Sequence, residues 1–378
     1  MTMWRLRAPV ALALVVCAVS CTSSHRAARS TASVGSSPTS VAATAVASAR
    51  SSAAIDQGVW SQVGSSTASP PPRDGQWMTS DPRTGATILF AGKGANSTYF
   101  NDVWLYESRT GTWTMPTPKG TQPLGRFGHA MVYASSANEV LAFGGVTTSE
   151  LTNELWAYRQ TDNSWRLLSA VGSVPAPRLY PAMGYDPVSG NAVVFGGWTG
   201  TSAFGDTWVY APTGNTWTEI NPANSPPARW GASLVYDPVL KKLILFGGLF
   251  GSYDGSSRLS DTWAFDPATS TWTNLAPGPD VPGARGYSTM VYDMAIHRTI
   301  LFGGFAGPSG LLDDLWSYDA ATNTWLKVQT STHPSKRDFS SISYDPISAS
   351  VFLFGGLTGD TGNVDGTLLN DTWKLKMR

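Results

Sequence analysis

The chain has 378 residues, of which 38 are glycine, 25 are proline and 16 are tryptophan, and only 14% are charged. This composition favours many short strands joined by tight turns, in a chain long enough to bury a large core. Basic and acidic residues both number 26, so the formal net charge of zero gives no global argument for binding to nucleic acid or to an anionic membrane surface.

The first segment, residues 1–21, has the layout of a secretory signal peptide. Two arginines precede an apolar run at residues 8–20 that is too short to span a bilayer. The segment ends in the sequence AVSC, which resembles a bacterial lipobox, so we predict export with Cys21 as the lipidation site. Ala18 departs from the leucine that is commonest at its position. Ordinary cleavage, which would release a soluble secreted protein, is therefore the alternative.

The next segment, residues 22–54, consists mainly of serine, threonine and alanine with scattered arginine. It lacks the aromatic residues that a core needs, so we predict a flexible, disordered tether. The only cysteines are Cys17 and Cys21, and no disulfide can therefore link parts of the remaining domain. We assign that domain to residues 55–378.

The domain contains six copies of one pattern. Each copy opens with an arginine, reaches the second position of a glycine pair 19 residues later and continues to a tryptophan, and in the first five copies a second tryptophan follows 9 residues on. The opening arginines are Arg73, Arg126, Arg178, Arg229, Arg285 and Arg337. The apolar runs alternate at period 2, and Asp-Pro pairs such as Asp237-Pro238 favour tight turns, so each copy is predicted to form four strands. A repeat of 51 to 57 residues with four strands per copy indicates a propeller.

The repeat has a recognisable signature in the run VLAFGG, which ends at Gly145 and is followed by Trp156 and Tyr158. This signature resembles the Kelch repeat, and the resemblance covers roughly residues 60–378. It implies an all-β fold, a six-bladed Kelch β-propeller with four-stranded blades around a central channel. It implies no activity, because the fold hosts adaptors, enzymes and structural proteins.

The sixth copy ends after its third strand, and the missing strand is predicted at the other end of the domain. Trp60 precedes Arg73 by 13 residues, and the second tryptophans of the other copies precede the next arginine by 12 or 13. We therefore predict that residues near Val59 to Val63 form the N-terminal strand that closes the last blade. Closure removes edge strands that could pair with other molecules, which favours a monomer.

One face of the predicted disc collects the variable loops. The spacing from the glycine pair to the first tryptophan varies between 11 and 17 residues, and because antiparallel strands alternate in direction, these loops share a face with the arginines. We call it the loop-rich face. The candidate ligand-binding residues on it are Arg126, Arg178, Arg229, Arg285, Arg337, Phe127, Tyr180, Trp198, Trp230, Tyr287 and Phe339. Arginine suits carboxylates and phosphates, and aromatic rings stack on sugars or peptide side chains.

The resemblance supports this set of residues, because arginines at the opening position line the pocket of Kelch adaptors that capture acidic peptides. A structural alternative is favoured for most of the arginines. Every copy also has an acid two residues before its first tryptophan, and recurrence in every copy is typical of scaffold ion pairs. These acids are Asp102, Glu154, Asp206, Asp261, Asp314 and Asp371.

Catalytic and metal-binding signals are weak. The histidines of the domain, His129, His297 and His333, are far apart in sequence, and no zinc spacing or phosphate-binding glycine loop occurs. The domain has no cysteine, which excludes the Tyr-Cys copper site of galactose oxidase, a Kelch relative. The oxygen-rich loop at Asp360 and Asp365 does not match an EF-hand and is predicted to be solvated. We therefore predict no catalytic residue, no cofactor and no metal.

The leading hypothesis is a binding module without enzymatic activity. It would be anchored by lipid at the extracytoplasmic face of a bacterial membrane, or secreted, and would recognise a protein or carbohydrate through the loop-rich face. Nucleic acid is not expected as a partner. The alternative is a sugar-modifying enzyme such as a sialic-acid-type epimerase, since some six-bladed exported Kelch proteins resemble this sequence. None of their catalytic residues can be matched here, and whether the protein has any catalytic activity stays open.

Overall fold

A computed structural model describes residues 57–64, 68–251, 257–307, 310–359 and 366–378. The predicted signal peptide, the lipidation site Cys21 and the tether lie outside these residues, as do residues 360–365 of the oxygen-rich loop. The described part of the chain consists of strands, turns and short 3-10 segments such as Ala95–Ser97, which confirms the all-β prediction. None of the helices in that part is long and apolar enough to cross a membrane.

Four of the repeats each form one antiparallel four-stranded sheet. The first sheet contains β2 (Trp77–Ser80), β3 (Thr87–Lys93), β4 (Tyr99–Glu107) and β5 (Thr112–Thr114), and the second contains β7 (Ala130–Ala134), β8 (Glu139–Phe143), β10 (Leu155–Arg159) and β11 (Ser164–Leu167). The third contains β12 (Ala182–Asp186), β13 (Asn191–Phe195), β14 (Thr207–Ala211) and β15 (Thr216–Ile220), and the fourth contains β16 (Ser233–Asp237), β17 (Lys242–Phe246), β20 (Thr262–Asp266) and β21 (Thr271–Asn274). Two short ribbons pair β6 (Arg126–Phe127) with β9 (Val146–Thr147), and β18 (Leu249–Phe250) with β19 (Ser257–Arg258).

The remaining strands form one eight-stranded sheet. Its order is β22 (Thr289–Asp293), β23 (Arg298–Phe305), β24 (Leu311–Asp319), β25 (Thr324–Thr330), β1 (Gln57–Val63), β28 (Thr367–Met377), β27 (Ser350–Thr358) and β26 (Ser341–Asp345). Strand β1 pairs antiparallel with β28 over six residue pairs, which confirms that the N-terminal strand completes the last repeat. It also pairs parallel with β25 over two residue pairs. The described residues thus form four four-stranded sheets, one eight-stranded sheet and the two short ribbons, where the sequence predicts six blades.

The first strands of the six repeats form a closed ring, which gives the molecule its propeller-like arrangement. Strands β2, β7, β12, β16, β22 and β26 each contact the next, and β26 contacts β2. They enclose a central channel. We call the end of the channel opposite the loop-rich face the turn face, because the tight turns between first and second strands lie there, such as that between Asp186 and Gly190.

The core lies between neighbouring repeats and has one recurring contact. The second tryptophan of each repeat packs against a phenylalanine at the end of the second strand in the preceding repeat, as Trp217 does against Phe143 with ring centroids 5.1 Å apart. Trp60 on β1 makes the equivalent contact with Phe302 of the fifth repeat, at 5.4 Å. Trp60 therefore occupies the second-tryptophan position of the sixth repeat.

Candidate functional site

The opening arginine of each repeat is held in a buried cluster with the acid and the first tryptophan. In the third repeat, Arg178 donates two hydrogen bonds to the Asp206 carboxylate, at 2.7 and 2.8 Å. It also donates to the carbonyl of Gly196. The Trp208 indole N–H donates to the same carboxylate at 2.8 Å. The arrangement recurs in all six repeats, with an arginine–carboxylate distance of 2.5 to 2.6 Å in the other five.

Burial corrects the expectation that these arginines line a ligand-binding rim. The six side chains are at most 2% exposed, and donors on each guanidinium are used within its own repeat. A ligand at the loop-rich face would therefore meet the loops above them rather than the guanidinium groups. This applies to all five candidates, Arg126, Arg178, Arg229, Arg285 and Arg337.

Several acids of these clusters have a pKa below the ordinary value. Burial by itself would raise the pKa of Asp261, but the hydrogen bond and the positive charge of Arg229 outweigh it and hold the pKa below its ordinary value. The same balance lowers the pKa of Asp314 and of Asp371. Ionised acid and arginine together are the stable state of the cluster, which is what a scaffold role requires.

The glycine pair that ends the second strand lies against the next repeat. At Gly196 and Gly197 the φ angles are +65° and +113°, a region that favours glycine. A Cβ on Gly196 would come within 2.3 Å of the Arg229 carbonyl oxygen. That carbonyl accepts a hydrogen bond from the Gly197 N–H at 2.9 Å. Positive φ and close approach of a neighbour, each of which favours glycine, are therefore present at one place.

A belt of backbone hydrogen bonds surrounds the channel two residues after each arginine. Five bonds connect neighbouring repeats, with N–O distances of 2.6 to 3.3 Å. The residues of the belt are Gly75, Gly128, Tyr180, Gly231, Tyr287 and Phe339, and all six have positive φ. Three aromatic residues thus adopt a backbone conformation that is uncommon for large side chains.

The three aromatic side chains of the belt close the channel at the loop-rich face. The ring centroids of Tyr287 and Phe339 are 4.0 Å apart, and Tyr180 lies 5.3 Å from each of them. The glycines of the other three repeats leave room for these rings, since a Cβ on Gly231 would come within 2.8 Å of the Tyr287 ring. We call Tyr180, Tyr287 and Phe339 the aromatic plug.

The other aromatic candidates pack beside the plug. Trp198 and Trp230 are 4% and 1% exposed and stack at 4.9 Å, so neither presents a face to a ligand. Phe127 is half-buried, and its ring centroid lies 6.1 Å from that of Tyr180. The structure brings the six aromatic candidates together at one channel end, but in packed contact with one another. Ligand binding by the partly exposed Phe127, Tyr180, Tyr287 and Phe339 stays a prediction.

Asp74, which the sequence did not predict as a site residue, lies beside Phe127. Half-buried Asp74 has a pKa raised to about 6, because burial disfavours its charge more than Lys93 favours it. Burial and the charge of Asp74 also raise the pKa of Tyr99. Asp74 directly follows an opening arginine, at a position where the next four repeats have Phe, Leu, Trp and Gly and the sixth has Asp338, so the sequence alone does not single it out.

The histidines do not come together into a site. His129 is fully buried, and burial together with nearby Arg126 lowers its pKa to about 3, so it is neutral at physiological pH. His333 is 47% exposed, with Nδ1 3.6 Å from Asp313 on the loop-rich side. Among the described residues, no group of three or more His, Cys, Asp or Glu side chains is placed to hold a metal ion.

Two family models match the chain and together span residues 48–377. The KLHDC2/KLHL20/DRC7 Kelch-repeats domain matches residues 48–248, and the Attractin/LZTR1 beta-propeller matches residues 192–377. The chain is also similar to several curated proteins. Multiple epidermal growth factor-like domains protein 8 of Mus musculus is 30% identical over 220 residues, which is 55% of this chain and 8% of that protein.

Two other relatives match over more of the chain. The leucine-zipper-like transcriptional regulator 1 homolog of Drosophila melanogaster is 26% identical over 72% of this chain and 28% of its own length. An F-box/kelch-repeat protein of Arabidopsis thaliana is 25% identical over 74% of this chain and 64% of its own length. The chain thus spans less than two thirds of each of these relatives.

Proposed function

This chain belongs to the Kelch-repeat propeller family, and on that premise we propose that it is a non-enzymatic module that binds a partner protein through its loop-rich face. Domains of this family are typical of protein-binding modules. Loops that vary on a constant scaffold are where binding residues usually lie. Carbohydrate is the other partner class that the sequence leaves open.

The observation that carries the proposal is a difference between repeated and non-repeated residues on the loop-rich face. The residues that recur in every repeat, such as Arg178 and Asp206, are engaged with one another. The residues that depart from the repeat, such as Asp74, Glu150 and His333, keep partly or fully exposed polar groups. A surface whose scaffold is constant and whose exposed groups are irregular supports recognition of one particular partner.

We interpret the eight-stranded sheet as two blades, which makes the propeller six-bladed. Among the described residues, strand pairing between the two halves, β22–β25 and β1 with β26–β28, is limited to the two parallel residue pairs between β1 and β25. Within each half, neighbouring strands pair over five or more residue pairs. Each half also repeats the four-stranded order of the other sheets.

Export and anchoring complete the proposal. Residues 1–21 would direct export, Cys21 would carry the lipid, and residues 22–54 would hold the propeller, residues 55–378, away from the membrane as a monomer. Cys21→Ser is expected to move the protein from the membrane fraction to the soluble extracytoplasmic fraction. If the variant still fractionates with membranes, the lipid anchor is refuted.

Site-specific photo-crosslinking in the cells that produce the protein tests which face binds. A photoreactive amino acid at the exposed positions Glu150 and His333 is expected to crosslink the full-length chain to a partner protein. The same residue at Val188 and Ile347 on the turn face serves as the matched control. Crosslinks to that partner from the turn face alone, or from none of these positions, would contradict the proposal.

Sugar modification is a second candidate, and one observation favours it. A half-buried acid with a pKa of about 6, beside Lys93 and Tyr99, has the environment that a general acid or base needs. If the protein is such an enzyme, Asp74→Asn should abolish turnover of a sugar substrate while leaving the fold intact. Turnover that survives this substitution would exclude Asp74 as the catalytic group.

A further inference from the structure

The central channel widens behind the aromatic plug into a cavity of about 370 Å³. Residues from the first strand of all six repeats line this cavity, from Trp77 near the plug to Pro82, Pro187 and Pro238 at the turn face. The three prolines are exposed, so the cavity opens to solvent at the turn face. The volume lies within the range of about 300 to 1,000 Å³ that is typical of small-molecule sites.

The lining of the cavity contains no charged side chain. None of the described residues that line it is Lys, Arg, His, Asp or Glu, and five are methionines. Met290 and Met294 are partly or largely exposed, whereas Met78, Met131 and Met183 are 2 to 3% exposed. Methionine side chains are flexible and polarizable, and they adapt to irregular apolar shapes. A charged ligand would lose its hydration here without gaining a partner of opposite charge, which is costly. The cavity therefore favours an uncharged ligand.

The closed end has buried hydrogen-bonding groups without a partner among the described residues. A small pocket of about 30 Å³ lies directly beneath the plug and shares Trp77 and Thr289 with the larger cavity. Gln76 and Ser288 line it and are 1% and 8% exposed. The Gln76 Oε1 and the Ser288 Oγ have no hydrogen-bond partner among the described residues. A buried acceptor and a buried hydroxyl thus point to a small polar group on the ligand.

The open end has an apolar rim. Val188, Val239, Met294 and Ile347 occupy neighbouring turns at the mouth and are 47% to 73% exposed. The position of Val188, Val239 and Ile347 is occupied in the other three repeats by Arg83, Ser136 and Ala295, and Met294 directly precedes Ala295. Exposed apolar residues that surround the mouth of an uncharged cavity favour approach by an apolar molecule.

We propose that the channel is a binding site for a small uncharged molecule with an apolar body and a terminal hydroxyl or amide. The molecule enters from the turn face, its apolar body lies in the uncharged cavity, and its polar end reaches Gln76 and Ser288. This site is separate from the loop-rich face, so each can be tested without the other.

Two fluorescent probes of nearly the same size test the selectivity. N-phenyl-1-naphthylamine is neutral, and 8-anilinonaphthalene-1-sulfonate carries a negative charge. Titrated into the full-length protein, the neutral probe is expected to bind saturably at one site, and the anionic probe at least tenfold more weakly. Equal affinity for the two probes, or no saturable binding of the neutral one, would overturn the proposal.

Substitutions that fill the channel test the location. Thr79 and Val235 line the cavity from different repeats and are half-buried, so Thr79→Trp and Val235→Trp each occupy its volume, and the second serves if the first fails to fold. Both are expected to weaken binding of the neutral probe at least tenfold. Leu124→Trp adds the same side chain at a 65% exposed position outside the cavity and should leave binding unchanged. Unchanged binding in a folded channel variant, or an equal loss in the control, would refute the site.

A charge at the mouth provides a further test. Met294 lines the cavity and is 54% exposed, so Met294→Lys can place a cation there without burying it. Affinity for the anionic probe is expected to rise several-fold in low salt, and affinity for the neutral probe should change less than twofold. If the anionic probe gains nothing, it does not bind at this mouth and the proposed location is wrong.

Discussion

The two ends of the central channel belong to the same ring of six strands, but one end is closed and the other is open. At the loop-rich end, each repeat buries an arginine with an acid and a tryptophan, and the aromatic plug closes the channel. At the turn end, the channel is open and its lining is uncharged. The comparison teaches that charge which recurs in every repeat marks the scaffold here, whereas the cavity is lined by uncharged residues.

The difference follows from the cost of burying charge. A buried arginine is tolerated only when its donors are used, and the six clusters supply a carboxylate and backbone carbonyls for this purpose. At this end of the channel the arginine donors are already used, so few of them are left to bind a ligand. At the turn end no charged side chain of the described residues lines the cavity, so the cavity can accept one.

Opening the ring should have the largest effect, because both channel ends depend on closure. Deleting residues 1–66 removes β1, which pairs with β28 and places Trp60 against Phe302. Loss of a buried tryptophan alone typically costs about 3 to 5 kcal/mol. We expect denaturant unfolding to show at least that loss relative to a chain that lacks only residues 1–54. Equal stability of the two truncated chains would show that the ring closes by other means.

Breaking one buried cluster should have the next largest effect. Arg178→Ala leaves the Asp206 carboxylate without its partner, and we expect it to lower the free energy of unfolding by about 3 to 5 kcal/mol. Arg109 is 67% exposed and pairs with the partly exposed Glu107, so Arg109→Ala is the control and should cost at most about 1 kcal/mol. Similar losses in the two variants, measured by denaturant unfolding, would contradict the scaffold role of Arg178.

A pH-dependent test distinguishes Asp74 from the acids of the clusters. Its pKa in the folded state, about 6, is above the ordinary 3.8, so the folded state binds this proton more tightly. Ionisation therefore costs stability as pH rises from about 4 to about 6, and the cost is complete above that window. Asp74→Asn is expected to stabilise the protein by about 1 to 3 kcal/mol at pH 7.5 and to have no effect near pH 3. Thermal unfolding of both proteins across this range measures the difference, and a gain that does not depend on pH would disprove the assignment.

The smallest effect is expected at the exposed rim of the turn face. Val188 is 73% exposed, so Val188→Ser removes little buried surface and should change the free energy of unfolding by less than about 0.5 kcal/mol. The same denaturant assay applies. A loss above about 1 kcal/mol would mean that the rim contributes to the fold, and the contrast between the two channel ends would be weaker than we describe.

The sequence alone determined the strands, the turns and the closure of the ring. These features depend on local chemistry, namely period-2 alternation, Asp-Pro turns and glycine at positions of positive φ. Because the pattern occurs in six copies, each of these local signals could be distinguished from chance. The spacing from Trp60 to Arg73 matches that from the second tryptophan to the next arginine in the other repeats, and this match was enough to place β1 beside the C-terminal strand. The recurring acids also indicated ion pairs, although the sequence left open whether the arginines would face a ligand.

Only the tertiary structure decided which side chains are buried and which channel end is open. Arg178 meets an acid 28 residues later in the chain, and its burial depends on the loops that cover both. Closure of the loop-rich end depends on three rings from different repeats that fit against glycines of the others. The uncharged cavity likewise exists only where six strands meet. Such properties belong to contacts between distant residues, and no local pattern in the sequence specifies them.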